Sequence, residues 1–184
     1  MFKEHKNKII AGFVILSVLD FVLFSRIFAL TAQGGDLKIY FLDVGQGDSE
    51  LVVLPGGVKM IIDGGPSNGK LLENLGRILA PGDRYIDLVM VSHPQLDHFG
   101  GLIEVMKRYQ IGAFLWNGRD GTASAWHELK KVIEQNKIKN VVLAATDKIH
   151  YQDSNFNILS PNSEFLKSKE LNNTTLVTEL VSNN

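Results

Sequence analysis

Residues 92–101, SHPQLDHFGG, bring His93, Asp97 and His98 within six positions of one another. Two imidazoles and a carboxylate at that spacing suit a divalent ion such as Zn²⁺ or Mn²⁺. An incomplete protein shell would leave room for a water made acidic by the metal. Gln95 lies between the first histidine and the aspartate, and its uncharged amide oxygen is a poorer ligand than an imidazole. On spacing alone, a polar loop with satisfied histidines is an equally good reading. The chain has no cysteine, so thiolate ligands, disulfides and a cysteine nucleophile are excluded. Any metal must be held by His, Asp, Glu or Asn.

These residues need elements to hold them. Ile86–Val91 is a continuous apolar run of the kind found in buried strands, so the loop is expected to leave a strand end. Helical periodicity resumes over Phe99–Tyr109, so His93, Asp97 and His98 are all expected on the loop. Upstream, Leu37–Val44 and Glu50–Leu54 read as strands joined by the turn GQGD, and Val58–Ile62 reads as a third after Pro55-Gly56-Gly57. Apolar positions at 71, 72, 75, 78 and 79 predict a helix over 69–79. Downstream, Ala113–Trp116 reads as a short strand, Ser124–Lys137 as a helix capped by Ser124, and Asn140–Ala145 as a buried strand. Short strands are expected near 149–151, 156–159 and 174–181. Strands with interspersed helices make the chain α/β.

Two further loops carry candidate residues. Asp63, in Asp63-Gly64-Gly65, is either a brace for the metal loop or an aspartate of a tight glycine turn. GQGD, residues 45–48, either presents backbone N–H groups and Asp48 to the site or is a plain hairpin turn. No G-K-[ST] follows it, so it is not a Walker-type phosphate loop. His127 and His150 read as surface or packing residues, Trp116 and Trp126 as core or rim, and the lysines at 130, 131, 137 and 139 as a solvated face.

The N-terminus has a different character. Residues 1–8 are polar and basic, and Ile9–Leu30 is a run of 22 residues interrupted by Asp20 and Arg26. As a helix it would span about 33 Å, enough to cross a bilayer. A mid-span aspartate costs roughly 2.5–3.5 kcal/mol, whereas each Leu, Ile, Phe or Val returns about 0.3–0.6. The sequence therefore predicts a transmembrane anchor over residues 1–32, followed by the linker Gln33-Gly34-Gly35-Asp36 and a domain over 33–184. A cleaved signal peptide with Ile9–Leu19 as its apolar core, or a buried core helix, are the competing readings. Lys3, Lys6 and Lys8 precede the span and no lysine follows until Lys38, which places the N-terminus in the cytoplasm and the domain outside it. Without the four basic and two acidic residues of the first 32, the rest has 15 basic and 18 acidic residues, a net of −3. That balance gives no electrostatic footprint for nucleic acid.

Four stretches in order, YFLDVGQGDS (40–49), MIIDGG (60–65), IDLVMVSHPQLDHFGGL (86–102) and NNTTLV (172–177), resemble the metallo-β-lactamase fold family, specifically its ComEC-type competence-protein branch. The resemblance implies an αββα sandwich, a metal loop of the form H-x-H-x-D-H, one or two Zn or Mn ions, and hydrolysis by metal-bound hydroxide. It assigns His93 to the first metal and Asp97 and His98 to the second, with Asp97 also the catalytic candidate. Gln95 falls where most members have histidine. Asp63 matches the family's buried aspartate beside the loop. The resemblance also implies a later T-G-D segment and a histidine-rich segment, so a C-terminally incomplete domain is expected, with its remainder as a partner.

The leading expectation is a membrane-anchored, outward-facing metal-dependent hydrolase acting on phosphodiesters such as single-stranded DNA. The alternative is a non-catalytic or degenerate binding module of the same fold, serving DNA uptake. A β-lactam or thioester hydrolase is a third reading with no local support.

Overall fold

The computed structural model describes residues 2–32 and 35–182, so Gln33 and Gly34 of the expected linker lie outside the described residues. The chain divides into two units, Met1–Gly35 with Pro55–Gly57, and Asp36–Leu54 with Val58–Asn184.

The first unit is built on helix α1 (Phe2–Ala32). Phe13, Val14, Ile15, Leu16, Phe21 and Phe24 are all exposed on it. Among the described residues no helix is long and apolar enough to cross a membrane. The span expected at Ile9–Leu30 runs past the described side chains at both ends.

The second unit contains a mixed sheet of six strands in the order β1-β2-β3-β4-β5-β6. They are β1 (Lys38–Phe41), β2 (Glu50–Val53), β3 (Lys59–Ile62), β4 (Tyr85–Met90), β5 (Gln110–Trp116) and β6 (Lys139–Val142). The first three pair antiparallel, and β3 to β6 pair parallel. Parallel neighbours need crossovers, which α2 (Lys70–Ile78), α3 (Leu96–Arg108) and α4 (Ser124–Gln135) supply. One face of the sheet packs on these helices through Leu71, Leu75, Phe99, Leu102, Trp126 and Leu129. Its other face packs Val52, Met60, Met90 and Leu115 against Phe156 and Ile158. Those last two come from a second antiparallel sheet of β7 (Lys148–Tyr151), β8 (Ser154–Ser160) and β9 (Val177–Ser182). The layers among the described residues are helix, sheet, sheet.

Several elements differ from the sequence reading. α3 begins at Leu96, so Asp97 and His98 lie in its first turn and not on the loop. The first strand is shortened to Lys38–Phe41 because Gly45 donates its N–H to Asp43 Oδ1 at 3.0 Å and turns the chain. α4 begins at Ser124 with Ala123 at the cap position, and no side chain caps it. The strand expected to be buried at 140–145 is the sheet edge, with Lys139, Asn140 and Val142 exposed. Thr174 lies in the 3₁₀ turn Leu171–Thr174, and the last strand starts only at Val177. His127 and His150 are exposed, whereas Trp116 and Trp126 are buried in the core.

Candidate metal centre

Parallel strands deliver the site's components at one end. Asp63 follows the last residue of β3, Ser92 and His93 follow β4, and Asn117 follows β5. The pairings of Ile62 with Met90 and of Met90 with Leu115 bring the three strand ends level. Glycines let the segments close up. A Cβ on Gly101 would stand 2.2 Å from the Gly64 carbonyl oxygen, so only glycine lets α3 settle on the Asp63-Gly64-Gly65 turn.

Asp63 is 3% exposed, and it has a positive φ of 56°. Its backbone N–H donates to the Met90 carbonyl at 2.8 Å, and its carbonyl accepts from Ser49 Oγ at 3.0 Å. Its carboxylate accepts the Ser92 N–H on Oδ1 at 2.7 Å and the Ser92 hydroxyl on Oδ2 at 2.6 Å. The same Oδ2 is 2.8 Å from His98 Nδ1, and Ser92 Oγ is 2.9 Å from His93 Nδ1. One carboxylate therefore touches His98 directly and reaches His93 through a serine. The two imidazole rings lie 4.1 Å apart between centroids, tilted by 49°. His93 Nε2 is buried and has no hydrogen-bond partner.

The electrostatics separate the two histidines. His98 is held above the usual histidine range, first by its bond to Asp63, with Asp97 and Asp48 adding to it. His93 is held below that range, first by burial and then by His98, with the Gln95 side chain and the Asp63 and Asp97 carboxylates opposing. Glu50, half-buried at the start of β2, is pushed up to about 7. Burial is the main cause, followed by the carboxylates of Asp63 and Asp48.

His93, His98 and Asp63 are brought together. Asp97 and Gln95 are partly buried beside them at the N-terminus of α3. Asp48 is exposed, but its backbone carbonyl accepts the Gly65 N–H at 3.0 Å, so the GQGD turn lies against the glycine turn. Ser92, Ser49, Glu50 and Asn117 went unread in the sequence. Asn117, 2% exposed, donates from Nδ2 to the Thr174 carbonyl at 2.6 Å, and the Leu176 N–H donates to the Ser92 carbonyl at 2.9 Å. The NNTTLV segment thus backs the metal loop.

The sequence model of the metallo-beta-lactamase superfamily matches residues 42–136, which include every one of these candidate ligands. The chain belongs to the metallo-beta-lactamase superfamily. Solved structures of the same fold include a point mutant of a flavo di-iron protein from Thermotoga maritima, with 17% identity and a TM-score of 0.51, covering 79% of this chain and 40% of that one. A metallo-beta-lactamase from Cronobacter sakazakii with a HARLDQ motif has 13% identity and a TM-score of 0.46, covering 73% and 53%. A diphosphatase of the PhnP family has 17% identity and a TM-score of 0.46, covering 72% and 48%. The chain spans about half the length of these structures, and at such identities the likeness is one of fold. No curated protein matches the chain in sequence.

Members of this superfamily bind divalent metals such as zinc or iron. The residues here fit such an ion as a pair of nitrogen ligands: a buried imidazole nitrogen without a partner stands beside a second imidazole braced through its other nitrogen. Among the described residues no group of three or more His, Asp or Glu side chains is placed to hold a metal.

Proposed function

We propose that the chain is a ComEC-type, metal-dependent hydrolase of phosphodiesters such as single-stranded DNA. The observation that carries this reading is the Asp63 brace. A carboxylate that holds one histidine directly and a second through Ser92 is the outer-shell arrangement that orients metal-binding imidazoles. His93 and His98 would hold the ion through Nε2, with the Gln95 amide oxygen and the Asp97 carboxylate beside them. When bound, Zn²⁺ or Mn²⁺ supplies an acidified water and a Lewis acid. The chain's own residues keep both rings fixed, and Asp97, partly buried in the first turn of α3, is the candidate for handling a proton. The phosphodiester class rests on the resemblance of four motifs to those of the ComEC-type branch.

The anchor belongs to the same proposal. α1 presents apolar side chains to solvent along residues 13–24, a surface that lipid would cover. Lys3, Lys6 and Lys8, ahead of the apolar run, favour a cytoplasmic N-terminus and a domain outside. Protease added to intact cells should then remove the domain, and full protection with an intact inner membrane would overturn the orientation.

A degenerate binding module of the same fold is the second reading, favoured by Gln95 and by the lack of a third placed ligand among the described residues. Metal content by mass spectrometry, followed by an assay on single-stranded DNA, separates the two. Bound metal with cleavage supports the enzyme. Metal-free protein that binds DNA without cleaving it supports the module.

A further inference from the structure

We infer that Ser92 is a positioning residue that fixes His93 with its proton on Nδ1 and its Nε2 bare. A single aspartate, Asp63, then sets the free nitrogen of both histidines. The use of this device rests on the metal-centre reading above, whereas the arrangement itself does not.

A carboxylate only accepts, so both groups on Asp63 Oδ2 are donors: the Ser92 hydroxyl at 2.6 Å and His98 Nδ1 at 2.8 Å. Serine has one hydroxyl hydrogen, and it points to Asp63. Toward His93 Nδ1, 2.9 Å away, Ser92 Oγ can therefore only accept, and His93 Nδ1 must carry a hydrogen. In a neutral imidazole the other nitrogen is then bare. This accounts for the partnerless state of His93 Nε2, since a buried N–H left without an acceptor is costly. The His98 proton is likewise held on Nδ1. Ser92 cannot turn its hydroxyl freely, because its own N–H is bound to Asp63 Oδ1 at 2.7 Å and fixes the carboxylate in place. Asp63 is itself held through Met90 and Ser49.

The test uses the full chain stripped of metal and labelled with ¹⁵N-histidine, read by long-range ¹H–¹⁵N correlation at alkaline pH, where both rings are neutral. His93 is expected to show the Nδ1–H pattern. Ser92→Ala should shift it toward the Nε2–H form, and Ser92→Thr, which keeps the hydroxyl, should restore it. An Nε2–H pattern for His93 in the unmodified chain overturns the inference whatever the variants do, so the test survives a variant that fails to fold. An unchanged pattern in folded Ser92→Ala overturns it too. Calorimetry with Zn²⁺ alone should show affinity about 10-fold weaker in Ser92→Ala, the low end for loss of an outer-shell partner. Equal affinity despite an altered tautomer would overturn the role of Ser92 in preparing the site. Failure of the phosphodiesterase reading looks different: Zn²⁺ binds and the tautomers hold, but single-stranded DNA is not cleaved.

Discussion

Gly47 lies so close to Asp97 that a Cβ on the glycine would stand 1.9 Å from the aspartate's backbone carbonyl oxygen. The turn between β1 and β2 thus presses on the first turn of α3, from which Asp97 and His98 project. Gly47 also has a φ of 100°, which L side chains avoid. Gly47→Ala should destabilise the domain by about 2–5 kcal/mol, from overpacking and backbone strain together. Gly69→Ala, at a φ of 80° with open space around it, should cost only about 1–2 kcal/mol. Urea denaturation of the two variants checks the difference.

Asp63→Asn keeps the size of the side chain and tolerates the positive φ, but one oxygen becomes a donor that faces Ser92 or His98. Zn²⁺ affinity is expected to fall about 10–100-fold. Unchanged affinity with only a lower unfolding midpoint would make Asp63 a turn residue and nothing more.

Glu50 gives a pH dependence with a definite sign. Its carboxyl binds a proton up to about pH 7 in the folded chain, against 4.5 for an ordinary glutamate. Between those values the folded state holds more protons than the unfolded one, so this group's contribution makes stability fall as pH rises. Glu50→Gln removes that penalty. The variant should match the parent below about pH 4.5 and exceed it above about pH 7, by less than the full shift implies because the group is half-exposed. Urea midpoints across that range are the measurement.

Gln95→His would place an imidazole beside His93, on the same strand-to-helix connection. Zn²⁺ uptake should rise above that of the unmodified chain. Tight binding of two ions by the unmodified chain would show that Gln95 is no defect.

Asn117→Ala leaves the Thr174 carbonyl and the Arg119 N–H without their buried partners. A cost of about 1–3 kcal/mol is expected. Hydrogen exchange at Leu176, whose N–H reaches the Ser92 carbonyl, should quicken.

The scaffold was legible where one period dominated. The apolar run at 86–91 and the helical face over 71–79 correspond to β4 and α2. His93 and His98 stood out by spacing, and Asp63 by its glycine turn. Ser92 was silent because its hydroxyl acquires a role only from Asp63, 29 residues away in sequence. Glu50 read as one more strand residue, since alternation says nothing about carboxylates arriving from other loops. The start of α3 was missed because Gln95 stands at its cap position and offers no side-chain cap. β6 looked buried because an apolar run does not reveal where a sheet ends.

The pairing of Ile62 with Met90 carries a consequence for how the chain is assembled during synthesis. A slip of one residue between β3 and β4 would turn every side chain of the shifted strand to the opposite face and carry Asp63 away from Ser92. The packing of both faces and the brace would be lost together. The Asp63–Ser92 contact is therefore an all-or-none reporter of the β3–β4 register.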